Sequence, residues 1–145
     1  MIKKKRILIM GLPGSGKSFL ARRVVKFLRA EWLNADKIRR KYNDWDFSKD
    51  GIIRQVTRMK HLSDKSRKRI IVADFICPLP EQRKIFKPHC LIWMDTIKKS
   101  RYPRINRIFK KPKNYDLRIK DKEIKLNLIK VKKILKLKIL RSKKP

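Results

Sequence analysis

The 145-residue chain predicts an α/β fold in three layers around a mainly parallel sheet of about five strands. Three observations carry that expectation. Short apolar runs alternate with segments of helical periodicity, the first run passes through a glycine-rich turn into a helix, and no repeat or linker divides the chain. The length suits one core, so residues 1–145 are read as a single domain.

The elements follow in order. RILIM (Arg6–Met10) has the continuous apolar character of a buried parallel strand. The next residues, GLPGSGKS, gather three of the chain's four glycines into six positions and end in Lys17 and Ser18. SFLARRVVKFL then spaces Leu20, Val24, Phe27 and Leu28 along one helical face. EWLNAD (Glu31–Asp36) reads as a second strand ending in an acid, and Gly51–Ser66 as a helix. RIIVADFICPLP (Arg69–Pro80) is a buried strand that breaks at Cys77-Pro78, and CLIWMDT (Cys90–Thr96) is another. In residues 97–114, Arg101, Arg104 and Arg107 recur at three-residue intervals, and Pro103 and Pro112 break the segment. That segment is either a short lid closing over phosphates or a basic surface loop. YDLRI (Tyr115–Ile119) supplies a last strand. A basic terminal helix over 122–140 spaces Ile124, Leu128, Val131, Leu135 and Ile139 toward a core.

The turn after the first strand has the pattern G-x-x-x-x-G-K-S, which forms a phosphate-binding loop when it joins a strand to a helix, as here. Gly11, Gly14 and Gly16 allow backbone conformations that turn successive N–H groups inward, and the following helix adds its positive end. Gly11, Leu12, Pro13, Gly14, Ser15, Gly16, Lys17 and Ser18 are therefore the expected nucleotide-binding residues. Lys17 would reach the β- and γ-phosphates of ATP, and the Ser18 hydroxyl would join the Mg²⁺ shell. Asp74, in IVADF, either helps hold Mg²⁺ through water or caps a strand. With this loop, the fold class becomes a P-loop kinase-like one.

The balance of 44 basic to 12 acidic residues gives a net charge of +32. Its lysines are spread along the whole chain and accompany many isoleucines, which fits A+T-rich coding better than a focused nucleic-acid face. Nucleic acid stays open as a partner without being favoured. The basic start runs directly into the first strand, so it belongs to the fold and is no signal segment. No apolar stretch is long enough to cross a bilayer, and no membrane partner is expected. Cys77 and Cys90 have neither metal-ligand spacing nor a disulfide framework. A cytoplasmic setting is the expectation, and a homodimer is compatible with the sequence.

Beyond the loop, GLPGSGKS, LNADKIR, NDWDFS, IRQ and FICPLPEQR occur in the order found in adenylylsulfate kinases, which the chain resembles from about Arg6 to Thr96. The resemblance implies an ATP- and Mg²⁺-dependent kinase acting on the 3′-hydroxyl of adenylylsulfate. It implies that Asp36 lies near that hydroxyl, that Arg39 and Arg54 hold anionic groups, and that Phe47 stacks on adenine. Ile76 and Cys77 would border the same pocket, with Lys17 and Asp36 as the catalytic pair. On the residues alone, Phe47 could equally be a core aromatic and Arg54 a solvated helix residue. The chain departs from the family pattern in several places. Asn34 and Cys77 replace an acid and a serine, Asn43 and Phe47 stand one residue closer, an E-N pair is missing before Ile53, and the lid is compressed into 97–114. A kinase for another small hydroxylated metabolite or a nucleic-acid end, and an inactive basic nucleotide-binding protein, are the alternatives.

Overall fold

The computed structural model describes residues 3–140. The elements alternate along the chain: β1 (Lys5–Gly11), α1 (Lys17–Leu28), β2 (Glu31–Asn34), α2 (Ala35–Tyr42), α3 (Lys49–Lys65), β3 (Ile70–Phe75), α4 (Pro80–Phe86), β4 (Cys90–Met94), α5 (Pro103–Ile108), β5 (Leu117–Ile119) and α6 (Ile124–Leu135). A π-helical turn, Lys136–Leu140, continues α6. The five strands form one sheet in the order β2-β3-β1-β4-β5, and every pairing is parallel. The expected sheet and fold class are borne out.

Alternation along the central strands sorts the core into two layers. Ile7 and Ile9 of β1 face α1 and α6, packing with Leu20, Val24, Leu28, Val131 and Leu135. Leu8 and Met10 face the opposite way, toward Ile38 of α2, Val56 and Met59 of α3 and Phe86 of α4. Both faces of the sheet are therefore covered, as a parallel sheet requires.

Several boundaries differ from the sequence reading. Strand β2 ends at Asn34, because the Asn34 side chain accepts a hydrogen bond from Lys37 N at 3.0 Å and so caps α2. Asp36 thus sits in the first turn of a helix instead of ending a strand. Phe27, placed by periodicity on the buried face of α1, is exposed, while Ala21 takes the core position. Helix α4 was not foreseen. Pro80 opens it, and the Leu79 N–H donates to Gln82 Oε1 at 3.0 Å.

The loop between α2 and α3 lies across the start of α3, at Gly51. A Cβ there would come within 2.0 Å of the Asp46 carbonyl oxygen. Glycine to alanine in an open helix stabilises by about 1 kcal/mol. Here the sign reverses: Gly51→Ala is expected to lower stability by about 1–3 kcal/mol through overpacking, measured by urea or thermal unfolding.

Candidate active site

The phosphate-binding pattern folds as a tight loop at the carboxyl end of β1. Gly16 takes φ of +99° at the start of α1, a left-handed conformation that disfavours other residues. Gly11 is required by proximity: a Cβ would lie 2.6 Å from the Met94 carbonyl oxygen. Ser15 N donates to Leu12 O at 3.1 Å to close the turn, and Thr96 Oγ1 donates to Ser15 O at 2.7 Å, tying the loop to the end of β4. Lys17 Nζ folds back on Leu12 O at 2.9 Å. Among the described residues, the buried Ser15 Oγ has no hydrogen-bond partner. A lysine ammonium and an orphaned hydroxyl in one glycine-shaped loop are donors matched to an anion, which fits the phosphates of ATP.

A buried carboxylate stands beside the loop. Asp74 accepts from Ser18 Oγ at 2.8 Å and Trp32 Nε1 at 2.8 Å, and from Asn34 Nδ2 at 3.2 Å. Burial pushes its pKa up, against the pull of those three donors and the nearby Lys17 charge. The Ser18 hydroxyl and the Asp74 carboxylate form an oxygen pair of the kind Mg²⁺ takes, directly or through water.

These groups line one end of a cavity of about 830 Å³ at the carboxyl edge of the sheet, bounded further by α2, the 43–48 loop, the 76–78 turn and α5. Asp36 reaches its wall from the first turn of α2. Arg39, buried, also lines it, with its guanidinium 4.1 Å over the Phe47 ring and donating to Asp44 O at 2.8 Å. Phe47, Ile76 and Cys77 complete the apolar side. Cys77 takes φ of +51°, and burial pushes its thiol up to about 12, so it is a packing group and not a nucleophile.

Of the residues predicted to bind the acceptor, Arg54 is the one that does not line the cavity. It makes ion pairs with Asp44 at 2.8 Å and Asp46 at 3.1 Å, and Arg58 joins Asp44 at 3.0 Å. The bonds from Arg54 and Arg58 hold the Asp44 carboxyl below its usual range, and hydrogen bonds from Ser48, with Arg54 adding to them, do the same for Asp46. Of the three arginines in residues 97–114 expected of a lid, Arg104 lines the cavity and donates to Phe47 O at 2.7 Å. Arg101 lies 5.4 Å over the Tyr102 ring instead, and Arg107 is exposed. Residues 97–114 thus touch the site through Tyr102, Arg104 and Ile105. Sequence reasoning missed Trp32 and Asn34, which hold Asp74, and Trp45, Gln55, Gln82 and Tyr102, which share the cavity wall. Only Asn34 carried a usable signal, since Asn before a helix rich in charge is a cap.

With this geometry the comparisons become informative. A sequence model of the AAA domain matches residues 7–74. The structure of the Mycobacterium tuberculosis APS kinase superposes with a TM-score of 0.73 at 27% identity, over 94% of this chain and 99% of that one. The chain has the P-loop kinase fold. The same kinase in complex with AMPPNP and APS gives 0.73 at 25% identity, again over 94% and 99% of the two chains. The resemblance to adenylylsulfate kinases read from the motifs is thus met in the solved structures. Shikimate kinase from Acinetobacter baumannii, in complex with shikimate, shares the fold at a TM-score of 0.63 and 19% identity, over 99% of this chain and 97% of that one. A 40-residue segment is 48% identical to the adenylate kinase isoenzyme 6 homolog of Drosophila melanogaster, spanning 28% of this chain and 23% of that relative.

Burial pushes the Lys17 ammonium down to about 8, although Asp74 and Asp36 pull it back up. Phosphate favours the charged form, so MgATP affinity is expected to be flat below pH 8 and to fall as the pH rises beyond it. Isothermal titration across that range measures it, and Lys17→Arg, charged throughout, should flatten the profile. In the unliganded protein the unfolded chain binds the extra proton between about 8 and 10.5, so this residue adds stability as the pH rises through that window.

Proposed function

We propose that the chain is an ATP-dependent kinase that transfers the γ-phosphoryl group of MgATP to the 3′-hydroxyl of adenylylsulfate, in the reducing setting of the cytoplasm. One observation carries the reading: the phosphate loop, the Asp36 carboxylate and the Arg39–Phe47 stack share a single cavity. Identity of 27% to an APS kinase over 94% of the chain supports the choice of acceptor.

The residues divide the work by chemistry. Lys17 and the loop amides would hold the phosphates and offset charge as it builds on the transferring group. Ser18, backed by Asp74, would hold Mg²⁺, which would supply positive charge against the phosphates. Asp36 would orient the acceptor hydroxyl and accept its proton as the oxygen attacks the γ-phosphorus and ADP leaves. Phe47 offers a flat apolar face to adenine, and Arg39 and Arg104 offer guanidinium groups to the phosphosulfate.

A second reading, a kinase for a different small hydroxylated acceptor, is favoured by Arg54, whose guanidinium is held by Asp44 and Asp46 outside the cavity lining.

Two outcomes test the proposal. MgATP should raise the thermal midpoint by mass action, and Lys17→Ala should remove most of that rise. In a coupled ADP-release assay with adenylylsulfate, Asp36→Asn should lower kcat by about 10²–10⁴ with MgATP affinity nearly unchanged. Arg39→Ala should raise the KM for adenylylsulfate, whereas Arg54→Ala should act mainly on stability. Turnover with another acceptor and none with adenylylsulfate would keep the kinase and overturn the substrate.

A further inference from the structure

The last helical segment carries apolar side chains on two opposite faces. Val131, Leu135 and Ile139 are buried against the sheet. On the outer side Leu126, Ile129, Leu137 and Leu140 are 60%, 63%, 56% and 42% exposed. With Lys133 they recur at three- and four-residue steps, which places them on one stripe. Single exposed aliphatic residues are ordinary, but a stripe of them along one helix is not. The stripe is set among lysines. Lys125, Lys130, Lys132, Lys133 and Lys136 are all exposed, Lys138 is paired with Asp116 at 3.1 Å, and no acidic residue occurs between Ile124 and Leu140. At its edge Lys132 lies 5.0 Å over the half-exposed Phe27 ring.

We propose that this outer face of α6 and its π-helical end docks on the surface of an anionic lipid bilayer. Charge selects an anionic occupant, because a second copy would bring the same lysines and a net charge of +32 against their like. Nucleic acid would reward stacking aromatics or arginines, and the face offers leucine and isoleucine instead. An acidic protein is met best by Trp, Tyr and Arg, with lysine depleted at interface cores. A bilayer surface rewards what is present: aliphatic side chains enter the acyl boundary, while lysine stems lie along it and their ammonium groups reach headgroup phosphates. The segment would lie in the interface plane, since no described helix is long and apolar enough to span a membrane. This revises the sequence-based expectation of no membrane partner, which rested on the lack of a spanning stretch. The cavity has no lining residue from α6, so a docked protein keeps its active site clear.

The test is flotation of the full chain with vesicles of phosphatidylcholine alone and of phosphatidylcholine with an equal part of phosphatidylglycerol. The protein should float with the anionic vesicles and not with the neutral ones. The variant Leu126→Ser, Ile129→Ser, Leu137→Ser keeps every charge, and its partition coefficient should fall by about 10² or more while its MgATP-induced thermal shift is unchanged. Should that variant fold poorly, Ile129→Ser alone should cost about tenfold. Flotation equal to that of the parent would show diffuse charge attraction and overturn the proposal, as would no flotation at all. A change from dimer to monomer by light scattering in the triple variant, or a parallel loss of poly(U) binding, would overturn it in favour of self-association or RNA.

Discussion

Asp74 lies near the carboxyl end of β3 and is almost wholly withdrawn from solvent, where a carboxylate without partners costs several kcal/mol. Its oxygens are filled by donors from two other parts of the chain: Ser18 at the start of α1, and Trp32 and Asn34 of β2. Satisfying this one buried charge therefore fixes the first turn of the phosphate-loop helix against the second strand, and with it the entry to α2 that carries Asp36. Asn34 has to be bifunctional to serve there. Its amide donates to Asp74 while its carbonyl oxygen caps Lys37 N at 3.0 Å. A carboxylate at position 34 could make the cap but would set two negative charges within hydrogen-bond distance. The Asn that departs from the kinase motif is thus explained by what it touches.

The parts of the structure that were legible in the sequence share one property: their signal is local. The apolar run before GLPGSGKS, the alternation of strands with helices and the spacing of Lys17 and Ser18 required no knowledge of distant contacts. The errors came where tertiary contacts decide. Phe27 has helical spacing for the core, yet Lys132 from the far end of the chain covers one side of it and solvent the other. Arg54 matches a motif position, but the acids that claim it are ten and eight residues upstream across a loop. Helix α4, a short segment begun by Pro80 and capped by Gln82, has too little periodicity to stand out.

Composition and structure also explain one another. With four glycines in the chain, three of them in the phosphate loop, the C-terminal ends of the helices must manage without glycine. Arg29, Asn43 and Lys87 take the left-handed conformation that closes α1, α2 and α4, and for Arg29 and Lys87 that costs about 1–2 kcal/mol each. Glycine is kept where a Cβ would strike backbone, at Gly11 and Gly51. Acidic residues are scarce too, 12 against 44 basic ones, so some of them serve several partners. Asp44 alone engages Arg54 and Arg58 through its carboxylate and approaches Arg39, while Asp95 holds Arg118, whose guanidinium lies 4.8 Å over Trp93.

That sharing shapes the side of the cavity lined by Phe47. The 43–48 loop is fastened from beneath by Arg54 and Arg58 through Asp44, and from within by Arg39 through the Asp44 and Asp46 carbonyls. Phe47 is thereby held as a fixed wall, with Arg39 stacked on it. Arg104 comes to the same loop from α5, by a single hydrogen bond to Phe47 O, and its side chain is exposed. One neutral acceptor holds this guanidinium, whereas carboxylates hold Arg54 and Arg58. An anion entering the cavity would have one exposed hydrogen bond to break in order to engage Arg104. Recruiting Arg54 would strip two carboxylates of their shared partner. The wall at Phe47 is thus fixed because its arginines are already committed, and the less firmly held positive charge of the cavity is that of Arg104 on α5.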